Sequence, residues 1–377
     1  MRIGITCYPT YGGSGVVATE LGIELAANGH EVHFISYSQP FRLTGRDTGI
    51  FYHEVPVSNY PLFEFPPYDL ALASRMAEVA EFYNLDLLHV HYAIPHSVSA
   101  LLARQMLAAR GRRLPFVTTL HGTDITLVGL DRSYLPITRF SIQESDGVTS
   151  ISKYLKDKTL TDFEISRPIE VISNFVNCDV YTPYRDEAVR DEARRRFAEP
   201  GEAILIHLSN FRPVKRVLDC IRIFAEVRKH ANVRLLMVGD GPERAPAEHL
   251  AWTLGVSKYV DFLGKQNHVE RLIRLAHVVL MPSEMESFGL ASLEGMACGV
   301  PAVATRVGGV PELITDEVDG FLGAVGDVAG LAKRATELVT DPALHAKMAA
   351  AARATAIARF STEKISPQYE SYYKNVL

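Results

Sequence analysis

Short apolar runs alternate with longer segments of helical periodicity along almost the whole sequence, and this alternation constrains the possible folds more than any other feature. Apolar runs between turn signals predict buried strands, whereas apolar residues spaced three and four apart predict helices. Parallel strands need helical crossovers, so the pattern predicts an α/β fold with parallel sheets covered on both faces. In the first half the predicted strands are Ile3–Cys7, Val32–Ile35, Leu87–Val90, Phe116–Thr119, Val148–Ile151 and Glu170–Ile172.

A chain of 377 residues with this pattern is expected to form two domains. The charged, proline-bearing stretch Tyr184–Pro200 interrupts the alternation, and a new strand is predicted at Ala203–Leu208. The tyrosine-rich segment Ser361–Leu377 is predicted to cross back to the first domain. We therefore expect domains of residues 1–173 plus 361–377 and of residues 174–360.

The composition excludes several classes of protein. Hydrophobic residues make up 47% of the chain and charged residues 22%, which is typical of a globular protein, and the net charge of −5 lacks the basic excess of a nucleic-acid-binding protein. The four scattered cysteines form no C-x-x-C pair, which favours a reduced protein over a disulfide or zinc scaffold. No apolar stretch reaches the ~18 residues of a membrane span, and Met1–Tyr8 resembles a strand more than a signal peptide. We expect a cytoplasmic protein with neither a nucleic-acid nor a membrane partner.

Two carboxylates, Glu286 and Glu294, stand eight residues apart where a predicted strand, Val278–Met281, leads into a predicted helix. Ser287 is the predicted N-cap, which places Glu286 in the loop and Glu294 about one turn into the helix. The free N–H groups of such a helix start favour an anion. Glu286 could then accept hydrogen bonds from a sugar and Glu294 from a ribose, although two solvated surface glutamates explain the same pattern.

Other polar residues follow the predicted strands of the second half. Arg212 and Lys215 lie three apart at a strand end, beside Asn210, and a diphosphate is the natural partner of two such cations, although a basic surface turn is equally consistent. Gly239 opens the turn after the next strand. Because the carboxyl ends of parallel strands share one edge of the sheet, we expect these residues to converge with Glu286 and Glu294.

The loop after the first strand contains the G-x-G-x-x-A pattern of a dinucleotide site, beginning at Gly13. A dinucleotide site also needs an acidic residue at the end of the second strand, but that strand ends in Ser36-Tyr37-Ser38, so we do not predict one. The glycines still allow a close backbone approach to a ligand, and the Ser14 hydroxyl could meet an anion. A tight turn needed only for folding is the alternative.

Histidines mark two further strand ends in the first half. The H-x-H of His89 and His91 invites a metal interpretation, but His89 is more simply a core histidine, and Tyr92 and His96 are better placed to meet a ligand. His121 follows the strand that ends at Thr119 and could hydrogen-bond a substrate near pH 7, or could be a loop histidine without a role.

These motifs resemble the retaining GT-B glycosyltransferases related to sucrose-phosphate and glycogen synthases. The resemblance is carried by the E-x7-E of Glu286 and Glu294, the Asn-Phe-Arg212-x-x-Lys215 run and the Gly-Asp-Gly-Pro-Glu turn. In the first half, Ile-Thr-Cys-Tyr-Pro-x-Tyr-Gly-Gly-Ser-Gly-Val-Val, His-Val-His-Tyr-Ala-Ile-Pro-His and Thr-Thr-Leu-His-Gly-Thr-Asp resemble the members that open bacillithiol synthesis. The resemblance covers nearly the whole chain. It implies the GT-B fold, with two Rossmann-like parallel-sheet domains facing a cleft and a C-terminal helix that crosses back to the first domain.

The same resemblance implies a UDP-N-acetylglucosamine donor, an L-malate acceptor, retention at the anomeric carbon and no cofactor. It also implies roles for residues, carried over motif by motif. The catalytic residues would be His121, Glu286, Arg212 and Lys215. The donor would be bound by Gly13, Asn210, Arg212, Lys215, Gly239, Glu286, Phe288, Gly289, Leu290 and Glu294. The acceptor would be bound by Ser14, Tyr92, Thr119 and Asn210.

No D-x-D occurs in the chain, so we predict no metal site; two cations and a helix N-terminus would stabilise the charge on departing UDP. Three alternatives stay open at this stage: another small acceptor, a UDP-N-acetylglucosamine 2-epimerase, and a nucleotide-sugar sensor without turnover. The epimerase needs acid–base pairs that the sequence does not offer, and His121 argues against the sensor. The oligomeric state, including a homo-oligomer, is left open.

Overall fold

The computed structural model describes residues 1–9, 12–40, 42–43, 48–57 and 61–377. The chain divides into two units: unit 1 comprises Met1–Asn174 with Ile365–Leu377, and unit 2 comprises Phe175–Lys364. No helix in the described ranges is long and apolar enough to cross a bilayer.

Unit 1 is built on a parallel sheet. Its strands are β1 (Arg2–Thr6), β2 (Glu31–Ser36), β3 (Ile50–Glu54), β4 (Leu87–His91), β5 (Phe116–Leu120), β6 (Gly147–Ser150) and β7 (Glu170–Val171). They are arranged in the order β3-β2-β1-β4-β5-β6-β7. The edge strand β3 was not predicted, because its side chains are only partly covered and Phe51 is exposed.

Helices cover the sheet of unit 1, as the apolar periodicity predicted. They are α1 (Ser14–Ala27), α2 (Tyr68–Tyr83), α3 (Val98–Ala108), α4 (Thr123–Thr126), α5 (Leu135–Glu144) and α6 (Lys153–Asp162). A short π-helical turn (Ala93–Ser97) and a 3-10 turn (Val128–Leu130) lie in the loops. Leu88 and Val90 of β4 pack with Met76 of α2 and Leu101 of α3 in one buried cluster. Every residue of β4 and β5 is buried, as expected of parallel strands covered on both faces.

Unit 2 repeats this plan. Its strands are β8 (Ala203–Leu208), β9 (Val233–Val238), β10 (Val260–Gly264), β11 (Val278–Met281), β12 (Ala302–Thr305) and β13 (Gly320–Gly323). They form a parallel sheet in the order β10-β9-β8-β11-β12-β13. Its helices are α7 (Glu187–Arg194), α8 (Val217–Arg228), α9 (Arg244–Thr253), α10 (Val269–Ile273), α11 (Leu290–Ala297), α12 (Val310–Leu313), α13 (Val328–Thr340) and α14 (Pro342–Phe360), with 3-10 turns at Pro213–Lys215 and Ser257–Tyr259.

In each unit the strand order reverses beside the first strand. β1 lies between β2 and β4, and β8 lies between β9 and β11. Open α/β sheets bind ligands outside the carboxyl ends of the strands at such a reversal. The loops after β1 and β4 in unit 1, and after β8 and β11 in unit 2, are therefore the places to look for a site.

The last helix, α15 (Thr362–Val376), returns the chain to unit 1, as predicted. The Tyr372 hydroxyl accepts the Val148 N–H at 2.8 Å and donates to the Val148 carbonyl at 3.1 Å. The buried Tyr373 hydroxyl hydrogen-bonds His89 Nδ1 at 2.7 Å. Two tyrosines of the C-terminal helix thus satisfy polar groups of β4 and β6.

Candidate functional site

An ion pair joins the two loops of unit 2 that carry most of the predicted donor-binding residues. Lys215 Nζ donates to Glu286 Oε2 at 2.5 Å, and both side chains are largely buried, with 23% and 16% of their surface exposed. The Glu284 N–H also donates to the Val214 carbonyl at 2.8 Å. The loop after β8 and the loop after β11 therefore lie side by side, as the strand-end argument predicted.

Arg212 and Asn210 lie on the same β8 loop as Lys215. Both are exposed, and Arg212 precedes the 3-10 turn, where its carbonyl accepts the Lys215 N–H at 2.8 Å. Arg212 has no ion-pair partner among residues 1–9, 12–40, 42–43, 48–57 and 61–377. The turn therefore presents one unpaired and one paired cation at the same sheet edge, which suits an anionic ligand with more than one charge.

A buried hydrogen-bond chain fixes the conformation of this loop. His207 Nδ1–H donates to the Leu280 carbonyl at 2.8 Å, so His207 Nε2 accepts from the Ser209 hydroxyl at 2.8 Å. Ser209 Oγ in turn accepts the Phe211 N–H at 3.2 Å. Phe211 has a φ of 40°, which is rare outside glycine, and these hydrogen bonds help to hold its backbone in that conformation. Burial lowers the pKa of His207 to about 4, so its ring stays neutral near pH 7.

The helix that carries Glu294 begins later than predicted. Its N-cap is Gly289 and not Ser287, and α11 starts at Leu290. Gly289 has a φ of 100°, and a Cβ there would lie 3.2 Å from Met281 Cε, so the site favours glycine. The Phe288 ring is buried, with its centroid 5.6 Å from that of Phe360, so only its backbone is left for a ligand.

Glu294 lies in α11, as predicted, and is buried with a specific partner. The Tyr181 hydroxyl donates to Glu294 Oε1 at 2.9 Å. Gly239, another predicted donor-binding residue, packs against the β8 loop: its φ is 123°, and a Cβ would lie 1.8 Å from the Ser209 carbonyl oxygen. A side chain at position 239 would therefore displace the loop that carries Arg212 and Lys215.

His121 is the most constrained predicted residue of unit 1. It follows β5, and its Nε2 is hydrogen-bonded to His91 Nδ1 at 2.8 Å. The Tyr92 ring stacks on the His121 ring at 5.6 Å with an interplanar angle of 18°. Burial, with a smaller contribution from His96, lowers the pKa of His121 to about 3. His121 is therefore a neutral imidazole near pH 7, able to donate or accept a hydrogen bond.

Thr119 and His89 are buried beneath His121. The Thr119 hydroxyl is fully buried and hydrogen-bonds His89 Nε2 at 2.6 Å and Thr149 Oγ1 at 2.5 Å. His89, bonded also to Tyr373, is a core histidine as predicted. Thr119 thus lies within the interior strand β5, and its hydroxyl is already engaged by protein groups.

Gly13 and Ser14 lie where the loop after β1 meets α1. Gly13 is the N-cap residue with a φ of 62°, and nothing lies within 4 Å of where its Cβ would be. Ser14, the first residue of α1, is almost buried. Gly13 belongs to unit 1, whereas the other predicted donor-binding residues belong to unit 2.

Sequence reasoning missed several partners of the predicted residues. His91 contacts His121, Tyr181 contacts Glu294, and Ser209 fixes the loop of Arg212 and Lys215. The H-x-H spacing could have indicated His91, because alternate residues of a strand share a face. Nothing in the local sequence marks Tyr181, which lies 113 residues from Glu294. Within the described ranges, no three His, Cys, Asp or Glu side chains are grouped so as to hold a metal ion.

Comparison with known families gives two matches. The model of the glycosyl transferases group 1 matches residues 189–355, and that of glycosyltransferase family 4 matches residues 11–180. Together they cover both units, and the boundary between them falls near the boundary between the units.

Individual proteins are similar over the whole chain. N-acetyl-α-D-glucosaminyl L-malate synthase of Bacillus anthracis is 48% identical over 377 residues, covering 100% of this chain and 97% of that protein. Anabaena Alr3699/HepE, solved in complex with UDP-glucose, superimposes with a TM-score of 0.81 at 21% identity, covering 100% of both chains. Sucrose-phosphate synthase of Thermosynechococcus elongatus superimposes with a TM-score of 0.79 at 20% identity, covering 100% of this chain and 99% of that one. The two structural likenesses show that the fold is GT-B.

Proposed function

Because the chain belongs to the glycosyltransferase family of N-acetyl-α-D-glucosaminyl L-malate synthase, we propose that it transfers N-acetylglucosamine from UDP-N-acetylglucosamine to the hydroxyl of L-malate. The anomeric configuration is retained, and the product is the one with which bacillithiol synthesis begins. The observation that carries this proposal is the 48% identity to the Bacillus anthracis enzyme over the full chain. The geometry of each unit supplies groups suited to one half of the reaction.

Unit 2 supplies the groups for the nucleotide sugar. Arg212 and Lys215 stand at one strand end and bind the diphosphate, and the first N–H groups of α11 point toward the same edge. Glu294, with its Oε1 held by Tyr181, accepts hydrogen bonds from the ribose hydroxyls. Glu286 accepts from the sugar hydroxyls once the ligand phosphate competes for Lys215.

The transfer exchanges one bond at the anomeric carbon for another. The bond between the anomeric carbon and the β-phosphate oxygen of UDP breaks, and a bond from the malate hydroxyl oxygen to the same carbon forms on the same face. The malate hydroxyl proton passes to the departing phosphate oxygen. The developing negative charge on UDP is stabilised by Lys215, Arg212 and the start of α11, so the step needs no metal ion.

Glu286 is not the nucleophile in this mechanism. Its carboxylate is engaged by the hydrogen bonds that it accepts from the sugar hydroxyls, so it does not attack the anomeric carbon. A covalent glycosyl-enzyme on Glu286, trapped with a slow donor analogue and located by peptide mapping, would contradict the front-face mechanism.

Unit 1 supplies the groups for the reacting sugar carbon and the acceptor. His121, neutral near pH 7, hydrogen-bonds the sugar next to the anomeric carbon. Ser14 and Tyr92 contact malate. Thr119 contributes indirectly: its hydroxyl is buried and bonded to His89 and Thr149, so it supports the malate site without touching malate.

The test is mass spectrometry of purified protein incubated with UDP-N-acetylglucosamine and a panel of hydroxy acids, without added metal. We expect an adduct of N-acetylglucosamine and malate, formed faster than the adducts with lactate or glycerate. UDP release without an adduct would support a donor but reject malate. Absence of any turnover would reject the proposed activity.

A further inference from the structure

One buried carboxylate links two strand ends of unit 1. Asp124, the second residue of α4, is 1% exposed. Its Oδ2 accepts the Ala93 N–H at 3.0 Å, in the loop after β4. Its Oδ1 accepts the Gly122 N–H at 2.8 Å and the His121 N–H at 3.3 Å, in the loop after β5. Each oxygen of this carboxylate thus holds a different loop.

Three consecutive residues, the last residue of β4 and the first two of the loop after it, contact the segment that follows β5. His91 hydrogen-bonds the His121 ring, Tyr92 stacks on that ring, and Ala93 is held by Asp124. The last hydrogen bond between the two backbones joins the Tyr92 N–H to the Thr119 carbonyl at 3.0 Å. Beyond it, the relative position of the two loops depends on the contacts of His91, Tyr92 and Asp124.

The backbone at this point is unusual, which makes such a restraint necessary. Tyr92 has a φ of 90°, a region that residues other than glycine rarely adopt, and Gly122 has a φ of 130°. Asp124 accepts the Gly122 N–H and the N–H of Ala93, the residue after Tyr92. The carboxylate therefore stabilises both loops where the chain departs from ordinary strand geometry.

We propose that Asp124 is a positioning residue for the transfer reaction: by holding the Ala93 and His121–Gly122 amides it sets the position of the His121 ring against Tyr92. The inference rests on the proposed function, in which His121 meets the sugar and Tyr92 the acceptor. Asp124 itself touches neither substrate, because it is buried and its oxygens face backbone amides.

A carboxylate suits this task better than any neutral side chain. An ionised aspartate only accepts hydrogen bonds, so it can serve three converging N–H donors, whereas an asparagine presents one acceptor and one donor. Asp124 has no salt-bridge partner within the described part of the chain, so the amides are what stabilise its charge. Burial raises the pKa of Asp124, and its hydrogen bonds to these amides act in the opposite direction.

The substitution that tests this role is Asp124→Asn. It keeps the size of the side chain but turns one oxygen into an NH2 group that faces an N–H donor. One loop is then released. We expect kcat to fall about 10- to 100-fold, since misplacing a catalytic group by about 1 Å costs on that order. The dissociation constant for UDP is expected to stay unchanged, because the proposed UDP contacts lie in unit 2.

Asp319→Asn is the matched control. Asp319 is also 1% exposed, and it accepts the Thr315 N–H at 2.7 Å and the Thr355 hydroxyl at 2.8 Å, neither of which belongs to a proposed site residue. This variant should lose thermal stability as Asp124→Asn does, but keep its kcat. If Asp124→Asn does not fold, Asp124→Ser, which keeps one accepting oxygen, takes its place with the same expected results.

A second readout does not depend on turnover. In protein labelled with 15N-histidine, the His121 imidazole signals, assigned by their loss in His121→Gln, should shift in the Asp124 variant and not in Asp319→Asn. A kcat within two-fold of that of the Asp319 variant, or unmoved His121 signals, would overturn the proposal. If the wild-type protein forms no glycoside, the proposed function has failed, and the imidazole spectra alone then decide whether Asp124 positions His121.

Discussion

Lys215 offers the sharpest test of whether unit 2 stabilises the negative charge on departing UDP. The substitution Lys215→Ala removes the cation proposed to stabilise departing UDP and leaves the Glu286 carboxylate without its partner at 2.5 Å. Because that charge develops mainly in the transition state, we expect kcat to fall about 100-fold or more while the KM for malate changes little. Steady-state kinetics with both substrates varied measures the two effects separately.

The same substitution should lower the free energy of unfolding, by an amount that depends on how exposed the ion pair is. Exposed ion pairs contribute roughly 0.2–1 kcal/mol, and breaking a buried pair from one side costs about 3–5 kcal/mol. With 23% and 16% of its side chains exposed, this pair lies between those limits, so we expect Lys215→Ala to cost about 1–3 kcal/mol in the free energy of unfolding.

A double-mutant cycle with Glu286→Gln separates the two roles of the lysine. Neutralising Glu286 removes the uncompensated charge, so Lys215→Ala/Glu286→Gln should be more stable than Lys215→Ala, as measured by urea denaturation. The loss of kcat should persist in the double variant, because the charge on UDP still lacks its cation. Lys229→Ala, which removes an exposed cation paired with Glu226 at 2.6 Å at the end of α8, is the control and should leave kcat unchanged. A kcat of Lys215→Ala within a few-fold of wild type would show that Lys215 does not stabilise the departing UDP. A double variant less stable than the single one would show that Glu286 is not left with an uncompensated charge.

Three further predictions concern Tyr181, Tyr373 and the buried histidines. Tyr181→Phe removes the hydroxyl that holds Glu294 and should weaken UDP binding about 3- to 10-fold in calorimetry, whereas Tyr184→Phe should not. Tyr373→Phe leaves His89 Nδ1 buried without its partner and should lower the free energy of unfolding by about 1–3 kcal/mol; an unchanged urea midpoint would contradict this. Acid should destabilise the fold, because burial lowers the pKa of several histidines to about 3 or 4. Below pH 6.5 the unfolded chain therefore binds protons that the folded chain does not. Urea midpoints that are equal at pH 7 and pH 5 would disprove this prediction. The buried histidines with lowered pKa values in unit 1 include His89, His91, His96 and His121.

The sequence was sufficient to predict the fold because buried parallel strands are nearly continuous apolar runs. β11 and β12, for example, are fully buried and stand out from the polar segments around them. β3 and β13 were missed for different reasons. β3 exposes Phe51 at the edge of its sheet, and β13 is four residues long and begins and ends with glycine. Each holds only a short apolar run, residues 50–52 in β3 and Phe321 with Leu322 in β13, which is a weak signal for a strand.

The site could be predicted only as far as chain spacing and strand ends determine it. These features placed Lys215 and Glu286 at one edge of the sheet, although 71 residues separate them. They could not predict that the two side chains would pair, nor that Gly289 rather than Ser287 would cap α11. Such details depend on side-chain packing between distant segments, for which the sequence has no periodic signal.

Because the chain returns from unit 2 to unit 1, unit 1 cannot be completed before its C-terminal residues have been made. Unit 2 is continuous in sequence, whereas unit 1 also needs Ile365–Leu377, which are synthesised after all of unit 2. Until then the Val148 backbone and His89 lack the partners that Tyr372 and Tyr373 provide. The unit synthesised first is therefore completed last, and a premature stop that removed only the final turns of α15 would damage the N-terminal half of the molecule.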